Sequence, residues 1–166
     1  MSLDSNQPEE GFKLSNYKED NNQLIRTKVI GIFRKNKKLL VGDAYDQDKD
    51  QLFYFPPGGG VEFGETSLQA LQREIREELH SEIENPVLLD VMENLFTLNG
   101  KQGHEIVFVY SAELLDRSLY EVDKFIGYES NGEIYNATWI DLDAMGEKSP
   151  PVYPEGLVEL LNTINI

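Results

Sequence analysis

The chain has 166 residues with 15 Lys and Arg against 30 Asp and Glu, a formal net charge of −15. That length suits one ordinary domain with a real core, and so acidic a surface repels the phosphates of DNA and the headgroups of anionic membranes, so neither partner is expected. The absence of cysteine excludes disulfides, thiolate zinc sites and a cysteine nucleophile; with no apolar run near the ~18–20 residues of a membrane span and no secretion-signal pattern, a cytoplasmic monomer or homodimer is the expectation.

Residues 1–22 hold few large apolar side chains and read as a loosely held polar arm, leaving 23–166 as a single domain. From Leu24 the pattern turns β. Ile25, Val29, Ile30, Ile32 and Phe33 lead to the turn Lys35-Asn36-Lys37 and then to Leu39-Leu40-Val41, a hairpin. Asp43 to Gln51 reads as a polar loop, and Leu52 to Phe55 as a short aromatic strand ended by Pro56-Pro57. A helix is predicted over Ser67 to Leu79 with Thr66 or Ser67 as N-cap. Strands follow at Val87 to Leu98 and, past Asn99-Gly100, at Glu105 to Ala112; the second is nearly continuously apolar and so central. Residues 116–132 read as an irregular loop, Ile134 to Ile140 as a strand, and Pro154 to Ile164 as a last short helix. This order implies an α/β (α+β) fold, a mixed sheet with helices packed against it.

The unusual chemistry lies between Gly58 and Ser81. Three consecutive glycines, Gly58-Gly59-Gly60, let backbone groups approach a ligand closely. The lysine and Ser/Thr of a phosphate loop are missing, and Glu62 and Glu65 stand in the loop instead. A bare phosphate is repelled there, whereas a hard divalent cation is not, because its preferred ligands are carbonyl and carboxylate oxygens. A phosphorylated small molecule is compatible with an acidic protein when such a cation sits between them. At ~100° per residue, Leu68, Leu71, Ile75 and Leu79 form the core stripe of the helix. Glu74, Glu77 and Glu78 flank that stripe and face a cleft edge. Like charges at this spacing cost only ~0.2–0.5 kcal/mol per pair, so the cluster alone does not establish a site.

The joint spacing of loop and helix resembles the Nudix box, Gly-x5-Glu-x7-Arg-Glu-U-x-Glu-Glu-x-Gly-U, with U a bulky aliphatic residue. Gly59 opens it, Glu65 follows at the right offset, and Arg73-Glu74-Ile75-Arg76-Glu77-Glu78 completes it without a gap. His80 and Ser81 replace the terminal Gly-U pair, which implies a differently capped helix end. The resemblance implies an α/β/α sandwich in which this loop and helix are the catalytic element. It implies that Glu77 and Glu78 bind Mg²⁺ (Mn²⁺ being possible), and that Glu74 binds metal or acts as general base. A carbonyl near Gly58 or Gly59 would add a ligand, while Arg73 and Glu65 hold loop and helix in register. The implied reaction is metal-dependent hydrolysis of a diphosphate bond in a small nucleotide-type substrate. Many relatives add a carboxylate from outside the box; Glu133 is the first candidate and Glu129 the second. The alternative is a non-catalytic ligand-binding Nudix domain, whose usual sign, a decayed carboxylate cluster, is missing.

Substrate contacts are assigned to Arg26, Gly59 and Gly60, with Lys28 beside them. Asp46-x-Asp48-x-Asp50 lacks the central glycine and final glutamate of a calcium loop. His104 reads as a surface turn residue, and Tyr45, Phe96 and Tyr128 as core or rim aromatics. The subgroup signatures for ADP-ribose, NADH, coenzyme A and dinucleoside polyphosphates are missing, which leaves a nucleoside triphosphate or a related small nucleotide.

Overall fold

The computed structural model describes residues 24–129 and 131–164, so the arm expected over 1–22 lies outside the described residues. Among the described residues, nine strands form two sheets. In the first, β5 (Gly58–Gly60), β1 (Ile25–Ile32), β7 (Lys101–Leu114) and β6 (Ile83–Leu98) lie side by side. β1 and β7 run parallel there, and the other pairs are antiparallel. In the second, β2 (Arg34–Lys35), β3 (Lys38–Asp46), β9 (Ile134–Asp141) and β8 (Lys124–Tyr128) are neighbours, and β4 (Gln51–Phe55) pairs with the far half of β3.

The buried stretches of β1 and β3 are covered on both faces, so adjacent residues of one strand feed different cores. Val29 and Leu40 join the side chains of α1 (Ser67–Leu79), together with Tyr135, Ala137 and Trp139. Ile30, Ile32, Leu39 and Val41 point the other way, toward Leu157 and Leu161 of α2 (Leu157–Thr163). The result is a mixed α/β/α sandwich; the element order predicted mixed strands with helices packed against them, and the resemblance implied the sandwich.

α1 forms where the sequence placed it. Thr66 caps it reciprocally: the Gln69 amide donates to Thr66 Oγ1 at 3.2 Å, and the Thr66 amide donates to Gln69 Oε1 at 2.8 Å. Leu71, Ile75 and Leu79 are buried, each worth ~1.5–3 kcal/mol relative to exposure. The helix stops at His80, which takes the left-handed conformation (φ 53°) usually given to glycine. That conformation costs a non-glycine residue ~1–2 kcal/mol, offset by packing of its ring on Tyr128 at 4.9 Å between centroids. The helix thus keeps a left-handed cap with His80 in glycine's place, and does not end in the different cap expected from His80 and Ser81.

Two expected loops are partly strand. β3 continues through Asp43 to Asp46, within the stretch expected to be a polar loop from Asp43 to Gln51. Pairing with β4 decides it, and the buried Asp46 carboxylate accepts from the amides of Asp48, Lys49 and Asn99. Asp46 therefore clamps the β3–β4 turn to the β6–β7 turn. Residues 116–132 contain a 3-10 turn, Arg117–Tyr120, and edge strand β8, not only irregular chain. The pairing of β8 with β9 is a tertiary fact.

Candidate active site

The glycine triplet forms β5, antiparallel to β1, with Gly59 opposite Val29. Gly58 has φ +140°, and a Cβ there would sit 2.2 Å from the Val29 carbonyl oxygen. At Gly59 a Cβ would sit 2.3 Å from the Glu74 carboxylate. The glycines are therefore required by the close approach of β5 to β1 on one side and to α1 on the other. Gly59→Ala should leave the fold intact, because a flexible side chain can yield. It should displace the Glu74 carboxylate and, on the catalytic role the resemblance implies for Glu74, lower turnover by ~10²-fold, the usual effect of misplacing such a group by about 1 Å; a melting curve beside a rate assay checks both halves.

Arg73 fastens this loop to the helix. Its guanidinium donates to both Glu65 oxygens (3.2 and 2.6 Å), to Glu74 Oε1 (2.8 Å), to the Gly60 carbonyl (2.9 Å) and at 3.5 Å to Glu77. Glu65 also accepts from the Glu62 amide at 2.8 Å, closing the loop on itself. The Arg73 bonds hold the Glu65 carboxyl below its usual range, and Arg73 itself is held more firmly protonated, chiefly by Glu65. Arg73 and Glu65 thus have the register-holding geometry expected of them, and Gly60 lends its carbonyl to the same brace.

The three helix carboxylates have three environments. Glu77 is exposed, whereas Glu74 and Glu78 are 6% and 2% exposed. Glu78 Oε2 accepts from the Gly58 amide and from the Tyr135 hydroxyl, both at 3.1 Å. Among the described residues nothing donates to Glu78 Oε1. Burial pushes the Glu78 carboxyl up to about 8, helped by the charges of Glu129 and Glu74 and opposed by the Tyr135 and Gly58 hydrogen bonds.

Among the described residues, no three His, Asp or Glu side chains are gathered tightly enough to enclose an ion. Arg73 pairs with Glu74 at 2.8 Å and with Glu77 at 3.5 Å, beside the buried Glu78. The donor set nevertheless fits a hard divalent cation, being all oxygen, with one buried carboxylate already fixed by two donors and short of positive charge.

Of the two acids outside the box, Glu129 is the one the structure brings in. It is half-buried and pushed up by burial, with Lys28 opposing and the Glu74 charge adding to the rise. Glu133 is exposed in the β8–β9 turn, its carbonyl accepting from the Glu129 amide at 2.7 Å. Glu129, the second candidate from sequence, thus lies on the side of the hairpin toward α1, and Glu133, the first, lies outside it.

Glu129 also lines a cleft of about 850 Å³, in the range typical of small-ligand sites. Arg26, Lys28 and Lys49 bring positive charge to it, and Phe53, Phe96 and Tyr153 bring aromatic surface. Arg26 donates to the buried Glu105 at 2.5 Å while most of its side chain stays exposed to the cleft. His104 is on β7, not in a turn, and bonds Glu93 at 2.8 Å. Sequence reasoning missed Tyr135, Phe53 and Tyr153 as site residues. The alternation Tyr135, Ala137, Trp139 shows that Tyr135 faces inward, but nothing local shows that it meets Glu78.

This fold and carboxylate helix define a class, and the NUDIX domain model matches residues 24–159. The chain belongs to the NUDIX family and is a Nudix hydrolase. An 8-oxo-dGTP diphosphatase of Haemophilus influenzae is 29% identical over 117 residues, covering 70% of this chain and 75% of the relative. A MutT NUDIX hydrolase from Burkholderia pseudomallei superposes with a TM-score of 0.56 at 20% identity, covering 83% of this chain and 97% of that one. An ADP-ribose pyrophosphatase from Streptococcus suis gives 0.54 at 15% identity, covering 86% and 94%. At those identities the two structures show the shared fold, and relatives of different substrate share it.

Proposed function

We propose that this Nudix hydrolase cleaves a diphosphate bond in a nucleoside triphosphate or a related small nucleotide, using Mg²⁺ or Mn²⁺. The observation that carries the reading is the pairing of an intact, partly buried carboxylate helix with an adjoining cleft that holds both cations and aromatic rings. Glu77 and Glu78 would hold the metal, joined by Glu129 and a backbone carbonyl of the glycine triplet. The bound cation would supply charge neutralisation of phosphate oxygens and a more acidic water. Glu74, held by Arg73 at the edge of β5, would take the proton from the attacking water. Arg26 and Lys28 would meet the phosphates, and the rings of Phe53, Phe96 and Tyr153 would pack on the base. The relative that acts on 8-oxo-dGTP supports a triphosphate over a sugar-linked diphosphate. A phosphate- and pyrophosphate-release screen across nucleoside triphosphates (oxidised ones included), ADP-ribose, NADH and dinucleoside polyphosphates tests this. Turnover concentrated in the triphosphates is the expected result, and turnover of ADP-ribose alone overturns it.

The same reading sets a pH dependence of stability. A Glu78 carboxyl titrating near 8 when folded keeps its proton where the unfolded chain, with an ordinary value near 4.5, has lost it. Folding therefore takes up a proton across this window, and the metal-free protein should lose stability as pH rises from about 4.5 to about 8, by on the order of a few kcal/mol. Melting curves in EDTA across this range check the slope. Saturating Mg²⁺ should flatten it, since a cation stabilises the ionised carboxylate.

A further inference from the structure

Resting on the metal-hydrolase reading above, we infer that Tyr135 is a positioning residue for the metal site, held in a slot between two glycines so that its hydroxyl fixes Glu78 with one oxygen turned outward. Tyr135 lies on β9, 6% exposed, between β8 and β3. Directly opposite it on β8 is Gly127, where a Cβ would lie 2.3 Å from the ring Cζ. Diagonally across on β3 is Gly42, where a Cβ would lie 2.7 Å from the ring Cδ2. Neither glycine has a positive φ, so backbone conformation does not require glycine at either place. What requires it is room for the ring. Phe55 closes the slot, its ring 5.5 Å from that of Tyr135.

The slot aims the hydroxyl along the sheet toward α1, where it donates to Glu78 Oε2 at 3.1 Å. The Gly58 amide donates to the same oxygen from the opposite segment. Two donors on one oxygen lock the carboxylate plane and leave Oε1 as the atom a cation can reach. Outer-shell donors of this kind commonly contribute 10- to 100-fold to metal affinity. A tyrosine serving only as filler would need the same room for its ring but not its hydroxyl.

The test is a Mn²⁺ binding isotherm, read by electron paramagnetic resonance of the free ion, on the wild type, Tyr135→Phe, Gly127→Ala and the double variant. Melting curves in EDTA establish that each is folded. Tyr135→Phe is expected to weaken Mn²⁺ about 10-fold or more. Gly127→Ala, which keeps the hydroxyl but drives the ring out of its slot, should do the same. The double variant should be no weaker than Tyr135→Phe, because both act through one hydrogen bond. Wild-type affinity in Tyr135→Phe, or additive losses in the double variant, overturns the inference. Should Tyr135→Phe not fold, Gly127→Ala alone decides: a loss of affinity supports the inference and unchanged affinity overturns it. A wild type that binds no Mn²⁺ would instead refute the metal-site reading on which this rests.

Discussion

Replacing Glu78 by glutamine should raise the melting temperature of the metal-free protein at pH 8 and, at the same time, remove at least ~10²-fold of metal-dependent turnover. The two effects have opposite signs because they have different origins. In the metal-free fold, Glu78 is an almost fully buried carboxyl near the charges of Glu129 and Glu74. Glutamine keeps the shape, and its carbonyl oxygen can accept from both the Gly58 amide and the Tyr135 hydroxyl while the charge disappears. A buried charge without a counter-ion is a cost that the amide removes. The amide is also a poor ligand for a hard cation, so on the metal-binding role proposed for Glu78 a group that stabilises transition-state charge would be lost, an effect on the scale of 10²–10³ for a single such group. Melting curves in EDTA and initial rates in Mg²⁺ measure the two halves separately. A variant both less stable without metal and equally active would contradict the assignment.

Arg73→Lys should cost nearly as much turnover as Arg73→Ala, about 10²-fold in each case. The guanidinium serves Glu65, Glu74 and the Gly60 carbonyl from one planar fork. A lysine ammonium carries the charge but cannot span those three acceptors in that geometry. Losing the brace frees the loop from Glu62 to Glu65 and leaves the buried Glu74 carboxylate without its donor, which costs ~1–3 kcal/mol of stability. Rescue of turnover by lysine would show that Arg73 supplies charge alone. Persistent loss in the lysine variant, with a melting temperature between those of wild type and Arg73→Ala, is the expected pattern.

How far this was legible in the sequence depended on whether the deciding contacts were local. α1 was readable to the residue because its cap, its apolar stripe and its stop all lie within one stretch, Thr66 to His80. The carboxylate helix and its glycine loop were readable as a unit for the same reason. β8 and the second half of β3 were not, because Lys124–Tyr128 and Asp43–Asp46 become strand through partners elsewhere in the chain. The order of Glu129 and Glu133 turned on how the hairpin faces α1, which spacing alone does not encode. Tyr135 was hidden for a related reason: its hydroxyl meets a carboxylate 57 residues away. The cleft was hidden as well, since its aromatic and cationic walls come from both sheets.

The most direct measurement is the rate of Mg²⁺-dependent nucleoside triphosphate hydrolysis by the wild type and by the Glu77→Gln, Glu78→Gln double variant, each with and without EDTA. The account predicts turnover by the wild type that EDTA abolishes, and none above background in the folded double variant. Metal-dependent hydrolysis at the wild-type rate by the double variant would contradict it.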